Sequence, residues 1–243
     1  RVRPTKREAQ TALRELMREA QDQGAPVVGG KPTVKTWAET WLDNTATHLR
    51  PGTWQANKSQ VINWIVPTIG HWRLEALRPA DVRAVERAMH ARGRAASTIS
   101  RAMNVLHWML KDAAIEGHPI PQGVLLVERL GPGESDRDAI PFPDALAILE
   151  VGAARPDASR WAAAFLQGMR PAECLCLTWD CIDFDENTID VSWQLKPLPY
   201  RVPRDRASGF RTPVGYVTRQ VDGALHLVRP KSASGRRVIP LVP

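Results

Sequence analysis

The side chains best suited to chemistry lie in the second half of the chain. In Gln167-Gly168-Met169-Arg170-Pro171-Ala172-Glu173 an arginine precedes a proline that opens a short helical pattern to Leu177, and a glutamate follows three residues later. In Pro230-Lys231-Ser232-Ala233-Ser234-Gly235-Arg236-Arg237 a lysine stands in a polar turn. Apolar alternation over Leu225–Val228 and Arg237–Val242 predicts that this turn closes a hairpin. A guanidinium is planar, permanently charged and able to grip two oxygens of one phosphate. An ammonium can hold a proton ready for a leaving group. Cys174, Cys176 and Cys181 form a Cys-x-Cys-x4-Cys run with no fourth ligand nearby and an apolar helical pattern through its middle, so no metal or other cofactor is expected. Three cysteines in one stretch do not suit a disulfide framework, which makes a reducing compartment the default.

Charge points to the partner class. The 243 residues carry a net +7, which favours a polyanion, either nucleic acid or an acidic membrane surface. By segment the charge is +2 over residues 1–30, +5 over 31–130, −8 over 131–190 and +8 over 191–243. Such segregation suggests an extended basic surface built from separate parts of the chain, with an acidic face turned elsewhere. No window reaches the roughly 18 apolar residues of a membrane span, and the Arg-rich start lacks the apolar run of a secretory signal. The expectation is a soluble intracellular protein with no membrane partner.

Three stretches must position these groups. Thr5-Lys6-Arg7-Glu8 has the form of a capping box, and helical spacing follows to about Asp22 before a Gly/Pro linker that ends at Pro32. Residues 33–130 read as a four-helix domain. Its first helix carries Val34, Trp37, Trp41 and Leu42. The second runs from Pro51-Gly52 up to Pro67. The third starts near Pro79 and ends at Gly93, and the fourth is capped by Ser97 and stops near Gly117. Residues 131–243 begin in a Gly/Pro-rich linker at 131–136. Helical patterns follow near 143–151, 158–168 and 171–177, then strands at Ile182–Phe184 and Thr188–Trp193 as one hairpin and the Lys231 hairpin as another. The Pro/Arg-rich stretch 196–222 has no readable pattern.

The Arg170 box, with Leu175, Leu177, Trp179, Asp180 and Ile182 after it, resembles the first catalytic box of the tyrosine recombinases, the phage integrase family. The Lys231 stretch, running to Pro240 and Leu241, resembles the family's lysine hairpin. Pro51/Thr53, Pro67/Ile69/Gly70 and Leu74/Leu77/Pro79/Val82 are similar to its N-terminal domain. The resemblance spans residues 33–243. It implies a mainly α protein with a four-helix, SAM-like core-binding domain at 33–130, followed by a partial α+β catalytic domain with β-hairpins at 131–243. Residues 1–32 would be the end of an arm-type DNA-binding domain.

The resemblance also implies roles. Arg170 would stabilise negative charge on the nonbridging oxygens of a DNA phosphodiester, Lys231 would protonate the leaving 5′ oxygen, and Glu173 would support a nearby cation. The family's His-x-x-Arg box and nucleophilic tyrosine lie beyond its lysine hairpin. Here Tyr200 and Tyr216 both precede Lys231, and His226-Leu227-Val228-Arg229 matches only as a string, since it runs straight into Pro230-Lys231 and alternates like a strand. The chain ends on the apolar pattern Val238–Val242, so it reads as a truncated integrase or as the visible part of a longer one. It is expected to bind DNA without completing cleavage through a 3′-phosphotyrosyl intermediate. The alternative is a truncated, non-catalytic homologue that occupies attachment-site DNA and regulates recombination.

DNA contacts are expected from Arg50, Thr53 and Lys58 near the second helix and from Arg92, Arg94, Ser97, Thr98 and Arg101 near the fourth. Arg236 and Arg237 beside the lysine turn, and the loop arginines Arg201, Arg204, Arg206 and Arg211, would grip the backbone. Trp37, Trp41, Trp64 and Trp108 fall on apolar helical faces and belong to the core rather than to a base-stacking surface. In the family the two domains close around duplex DNA, and the complete enzyme acts as a homotetramer, with accessory DNA-bending proteins as further possible partners.

Overall fold

The computed structural model describes residues 31–128, 131, 133 and 138–242. The helix expected over 5–22, most of the linker 131–136, and Arg137 lie outside them. The chain divides into two compact units, one to residue 134 and one from residue 135.

In the first unit the helices follow the apolar periodicity. α1 (Val34–Ala46) starts at Thr33, whose hydroxyl accepts the Thr36 N–H at 3.2 Å. α2 (Pro51–Gln60) does not stop at Pro67: a π turn over Val61–Ile65 leads into α3 (Val66–Ile69). The Val66 N–H donates to the Val61 carbonyl, one residue further back than in an α-helix. This wider turn lets the chain carry a proline, which has no N–H to give and would crowd an α turn. α4 (Pro79–His90) and α5 (Ala96–Ile115) complete the main bundle, and a single turn, α6 (Gln122–Leu125), closes it. Ser97 is not the cap of α5. The cap position is Ala95, which has no side chain to offer, and Ser97 lies inside the first turn.

Val34, Trp37, Trp41, Leu42, Ile65, Leu74, Val85, Met89, Leu106 and Leu110 are all buried in one core. The indoles also bond polar groups: Trp37 Nε1 donates to the Met109 carbonyl at 2.8 Å and Trp54 Nε1 to the Leu42 carbonyl at 2.7 Å. Trp41 Nε1 donates to Asp112 Oδ2 at 2.8 Å, tying α1 to α5, while its ring meets Trp108 edge-on. Trp64 is buried and Trp108 packs against the same core, where the apolar faces placed them.

The second unit has α7 (Phe142–Ala153), α8 (Ala158–Phe165) and the single turn α9 (Pro171–Cys174). Its strands are β1 (Ile182–Asp183), β2 (Thr188–Val191), β3 (Gln194–Pro197), β4 (Thr218–Asp222), β5 (Leu225–Val228) and β6 (Arg237–Pro240). A small core joins Ala163, Met169 and Cys174 to Ile189 and Val191 of β2, with Leu177, Ile182, Ile239 and Leu241 at its margin. The β1–β2 hairpin forms as expected, with Asp183 Oδ1 accepting the N–H groups of Asp185 and Glu186 in its turn.

The second expected hairpin does not form. β5 and β6 flank Lys231 but do not pair with each other: β6 pairs with β2, whereas β5 lies between β3 and β4. β2 and β3 follow one another directly, so antiparallel partners must meet them in reverse chain order, β5 and then β6. A closed β5–β6 hairpin would strip β2 and β3 of these bonds. Val191 faces Arg237 and Gln194 faces Val228, so Ser192 and Trp193 stand opposite the whole excursion from 229 to 236 that holds Lys231. The stretch 196–222 contains the end of β3, an antiparallel bridge between Tyr200 and Phe210, and β4. No helix among the described residues is long and apolar enough to cross a membrane.

Candidate functional site

A carboxylate with no solvent exposure organises the site. Glu173 is fully buried at the end of α9. Its Oε2 accepts the Arg170 N–H at 3.0 Å and Arg237 Nη2 at 2.9 Å. Its Oε1 accepts Arg170 Nη1 at 3.0 Å, Arg237 Nη1 at 3.2 Å and Gln194 Nε2 at 3.4 Å. Burial pushes its pKa up, but the hydrogen bonds from Arg237 and from the backbone and guanidinium of Arg170 outweigh it and bring the pKa down to about 2. Gly168 sets the approach to this node. Its φ of +61° lies in the left-handed region that suits glycine, and it lets Met169 drop into the core just before Arg170.

The two arginines differ in what remains for a ligand. The Arg170 side chain is 67% exposed, so a guanidinium fixed at one nitrogen still faces solvent. Arg237, expected on the DNA backbone, is 28% exposed and meets Glu173 with both terminal nitrogens. Arg236 is exposed beside it. The structure therefore brings together Arg170, Glu173 and Arg237, and adds Gln194.

Lys231 is exposed on the excursion between β5 and β6, which is fastened at both ends. At its start Arg229 lies over the Trp193 ring at 3.8 Å and donates to the Ser192 carbonyl at 3.2 Å. Arg219 stands 4.6 Å from the same ring. At its far end is Arg237 on Glu173. A Cβ on Gly235 would come within 2.7 Å of Pro230 Cβ, so only glycine lets the excursion fold back this tightly.

Neighbouring groups have other duties. Cys174 donates to the Met169 carbonyl, and Cys176 to those of Glu173 and Trp193. Burial, with Cys181 nearby, pushes the Cys176 thiol up to about 11. His226 is buried with its ring edge-on to Phe210, and Arg229 stacks on Trp193, so the His-x-x-Arg string serves the β5 strand. Tyr200 stacks on Phe210, and Tyr216 closes a turn with Pro213.

In the first unit Arg92 and Arg94 converge on the Trp64 ring, 5.4 and 5.2 Å from its centroid, and Lys58 lies over Trp54 at 4.9 Å. Thr53, Ser97 and Arg101 are exposed and Thr98 is half-buried. Arg50 holds the cap position of α2 without a side-chain cap bond. Sequence reasoning missed Trp193, Gln194, Arg219 and Arg229. No local pattern marks them, because Arg219 and Arg229 meet the Trp193 ring only once the strands pair.

Residues 33–86 match the family model for the phage integrase N-terminal SAM-like domain. No curated protein matches the chain. Among solved structures, the Tn1549 transposon integrase in complex with transposon right end DNA is similar with a TM-score of 0.63 at 17% identity, covering 86% of this chain and 60% of that one. A lambda integrase tetramer bound to a Holliday junction gives 0.59 at 17% identity over 78% of this chain and 56% of that one. A lambda integrase dimer bound to a COC' core site gives 0.58 at 16% over 76% and 55%. The chain thus spans at most 60% of the length of these integrases. With a SAM-like domain matched at 33–86, the chain carries the fold of these integrases over most of its length.

Proposed function

We propose that the protein works in site-specific DNA recombination, in a reaction that breaks and rejoins DNA through a 3′-phosphotyrosyl intermediate. One observation carries this reading: a fully buried carboxylate holds the backbone and the guanidinium of Arg170 while most of that side chain stays open to solvent. A cation fixed before its ligand arrives does not reorganise as charge builds on the phosphoryl oxygens. In this reading Arg170 grips the nonbridging oxygens and Lys231 protonates the leaving 5′ oxygen. Glu173 and Arg237 support Arg170 without touching DNA. Arg50, Thr53, Lys58, Arg92, Arg94, Ser97, Thr98 and Arg101 hold the duplex backbone from the first unit, and Arg236 does so from the second.

The nucleophile is neither Tyr200 nor Tyr216. Tyr200 is stacked on Phe210, and both lie in the stretch before Lys231. Residues 1–243 therefore bind DNA without cleaving it, and the complete enzyme works on DNA inside the cell as a homotetramer.

Scanning single methylphosphonate substitutions along a bound duplex tests the role of Arg170. Neutralising the gripped phosphate weakens wild-type binding about tenfold or more, the scale of a charge-assisted hydrogen bond, and leaves Arg170→Ala unaffected. Equal sensitivity of the two proteins at every position overturns the assignment. A covalent adduct on a nicked suicide duplex that disappears in Tyr200→Phe or Tyr216→Phe overturns the assignment of the nucleophile.

A further inference from the structure

We infer that Cys181 and Cys176 form a redox pair: a peroxide oxidises Cys181, Cys176 closes a disulfide onto it, and the Lys231 excursion loses one of its supports. The bond depends on no reading of function, whereas its consequence for the reaction rests on the recombinase reading of Lys231. Placement is the first argument. The backbone turns back at Thr178, whose carbonyl accepts the Cys181 N–H at 3.0 Å. Both thiols then line one cavity of about 10 Å³, with Glu173 and Trp193 also on its wall. Cys174 does not line it: that thiol packs in the small core and donates to the Met169 carbonyl. Among the described residues no group of three or more His, Cys, Asp or Glu side chains is placed to hold a metal ion, so the pair is not part of a metal shell.

Unequal access is the second argument. Cys176 is buried, whereas Cys181 is half-buried, with its sulfur 3.4 Å from Thr178 Oγ1. Cys181 also lines an open groove of about 530 Å³ on the β1–β2–β6 sheet, beside Asp183, Asp190 and Val238. The carboxylates repel an anionic oxidant, which leaves small uncharged peroxides, hydrogen peroxide or an alkyl hydroperoxide, as the class that reaches the thiol. Burial pushes the Cys176 thiol up to about 11, so Cys181 reacts first and Cys176 second.

In the first step the Cys181 sulfur bonds to one peroxide oxygen and the O–O bond breaks. The thiol proton leaves with the other oxygen as water or alcohol, and Cys181 is now a sulfenic acid. In the second step the Cys176 sulfur bonds to the Cys181 sulfur, the S–O bond breaks, and the departing hydroxide takes the Cys176 proton to leave as water. The two thiols have then given up two electrons and two protons, and the peroxide has gained them. The second step removes a proton that holds the site together. Cys176 Sγ donates to the Glu173 carbonyl at 3.2 Å and to the Trp193 carbonyl at 3.0 Å, and a disulfide sulfur has no proton to give. Oxidation therefore frees the backbone of Trp193, whose ring carries Arg229 and Arg219 at the base of the excursion.

The test treats the whole chain with hydrogen peroxide, blocks free thiols after unfolding, and maps them by mass spectrometry. Wild type is expected to fall from three free thiols to one, Cys174, with a Cys176–Cys181 cross-linked peptide. Amide hydrogen exchange over residues 231–236 speeds up by about threefold to tenfold, the scale of one lost hydrogen bond, and a thiol reductant reverses it. Cys181→Ser keeps all its remaining thiols and its exchange rates under peroxide. Cys176→Ser, whose hydroxyl still donates, stops at a Cys181 sulfenic acid that dimedone traps, again with exchange unchanged. A Cys176 that stays free once Cys181 is consumed, or a disulfide through Cys174 or between two chains, overturns the pair. A Cys176–Cys181 bond with exchange as in the reduced protein overturns its hold on the Lys231 excursion. Neither readout contains DNA, so failure here leaves the recombinase reading standing, and failure of that reading leaves the bond to be judged by its own result.

Discussion

Glu173 and Arg237 are 64 residues apart in sequence and meet fork to fork, with Nη1 3.2 Å from Oε1 and Nη2 2.9 Å from Oε2. α9 delivers the glutamate and β6 the arginine. Their pair therefore ties the strand that leaves the Lys231 excursion to the turn that presents Arg170. One buried carboxylate thus holds both the Arg170 guanidinium and the strand that follows Lys231.

Replacing Glu173 with glutamine keeps its volume and removes its charge, leaving two guanidinium groups around a neutral amide. Losing one partner of a buried ion pair costs about 3 to 5 kcal/mol. Urea denaturation of Glu173→Gln is expected to show a loss on that scale, with a smaller loss in Arg237→Lys, which keeps the charge and gives up the fork. A Glu173→Gln protein within about 1 kcal/mol of the parent would remove this node from the framework of the site.

Acid stability follows from the same carboxylate. Its pKa is about 2 in the folded protein against an ordinary value of 4.5. A carboxylate whose pKa is depressed on folding contributes fully above its unfolded value, and that contribution is lost as pH falls from 4.5 through about 2. A difference of this size corresponds to about 3 kcal/mol. Urea midpoints of wild type measured down through this window should fall more steeply than those of Glu173→Gln, and parallel curves would contradict the assignment.

In the first unit the Trp41–Asp112 hydrogen bond joins α1 to α5 at 2.8 Å. Trp41→Phe retains an aromatic ring and leaves the carboxylate without its indole donor, so a loss of about 2 kcal/mol is expected. Asp112→Asn preserves an acceptor and should cost less. A double-mutant cycle that shows no coupling between the two positions would refute the link.

The bundle was legible because α1, α4 and α5 each bury one face, and Val34, Trp37 and Trp41, Val85 and Met89, and Leu106 and Leu110 mark those faces at helical spacing. Pro67 misled, since the π turn that accommodates it depends on hydrogen bonds no residue type announces. Ser97 looked like a cap because the hydroxyl is right, but the cap position is Ala95, two residues earlier. The Arg170 box was readable as a string. The identity of Arg237 as its second anchor was not, because a partner 64 residues away leaves no local trace. Strand pairing failed for a similar reason: alternation shows that Leu225–Val228 is a strand and does not name its partner. β4 was invisible because it is exposed from Arg219 to Asp222 and so does not alternate.

The Lys231 excursion should respond to changes at its base. Gly235→Ala places a methyl carbon 2.7 Å from Pro230 Cβ, and the proline ring cannot rotate away. Trp193→Ala removes the ring on which Arg229 and Arg219 rest. Both variants are expected to speed amide hydrogen exchange over residues 231–236 while α1 to α5 stay at wild-type protection. Unchanged exchange in that segment would show that its order comes from elsewhere.

The reverse-order pairing of β2 with β6 and of β3 with β5 also decides where the chain tolerates a change of length. Extra residues in the tip between Val202 and Ser208 only enlarge a loop, and closing a larger loop costs little. A residue added at Ser192 or Trp193 would turn one ladder over relative to the other, moving Gln194 away from Glu173 and exchanging the inward and outward faces of β3. Ser192 and Trp193 are thus a spacer of fixed length, whereas the loop from Val202 to Ser208 lies beyond both ladders and sets no register.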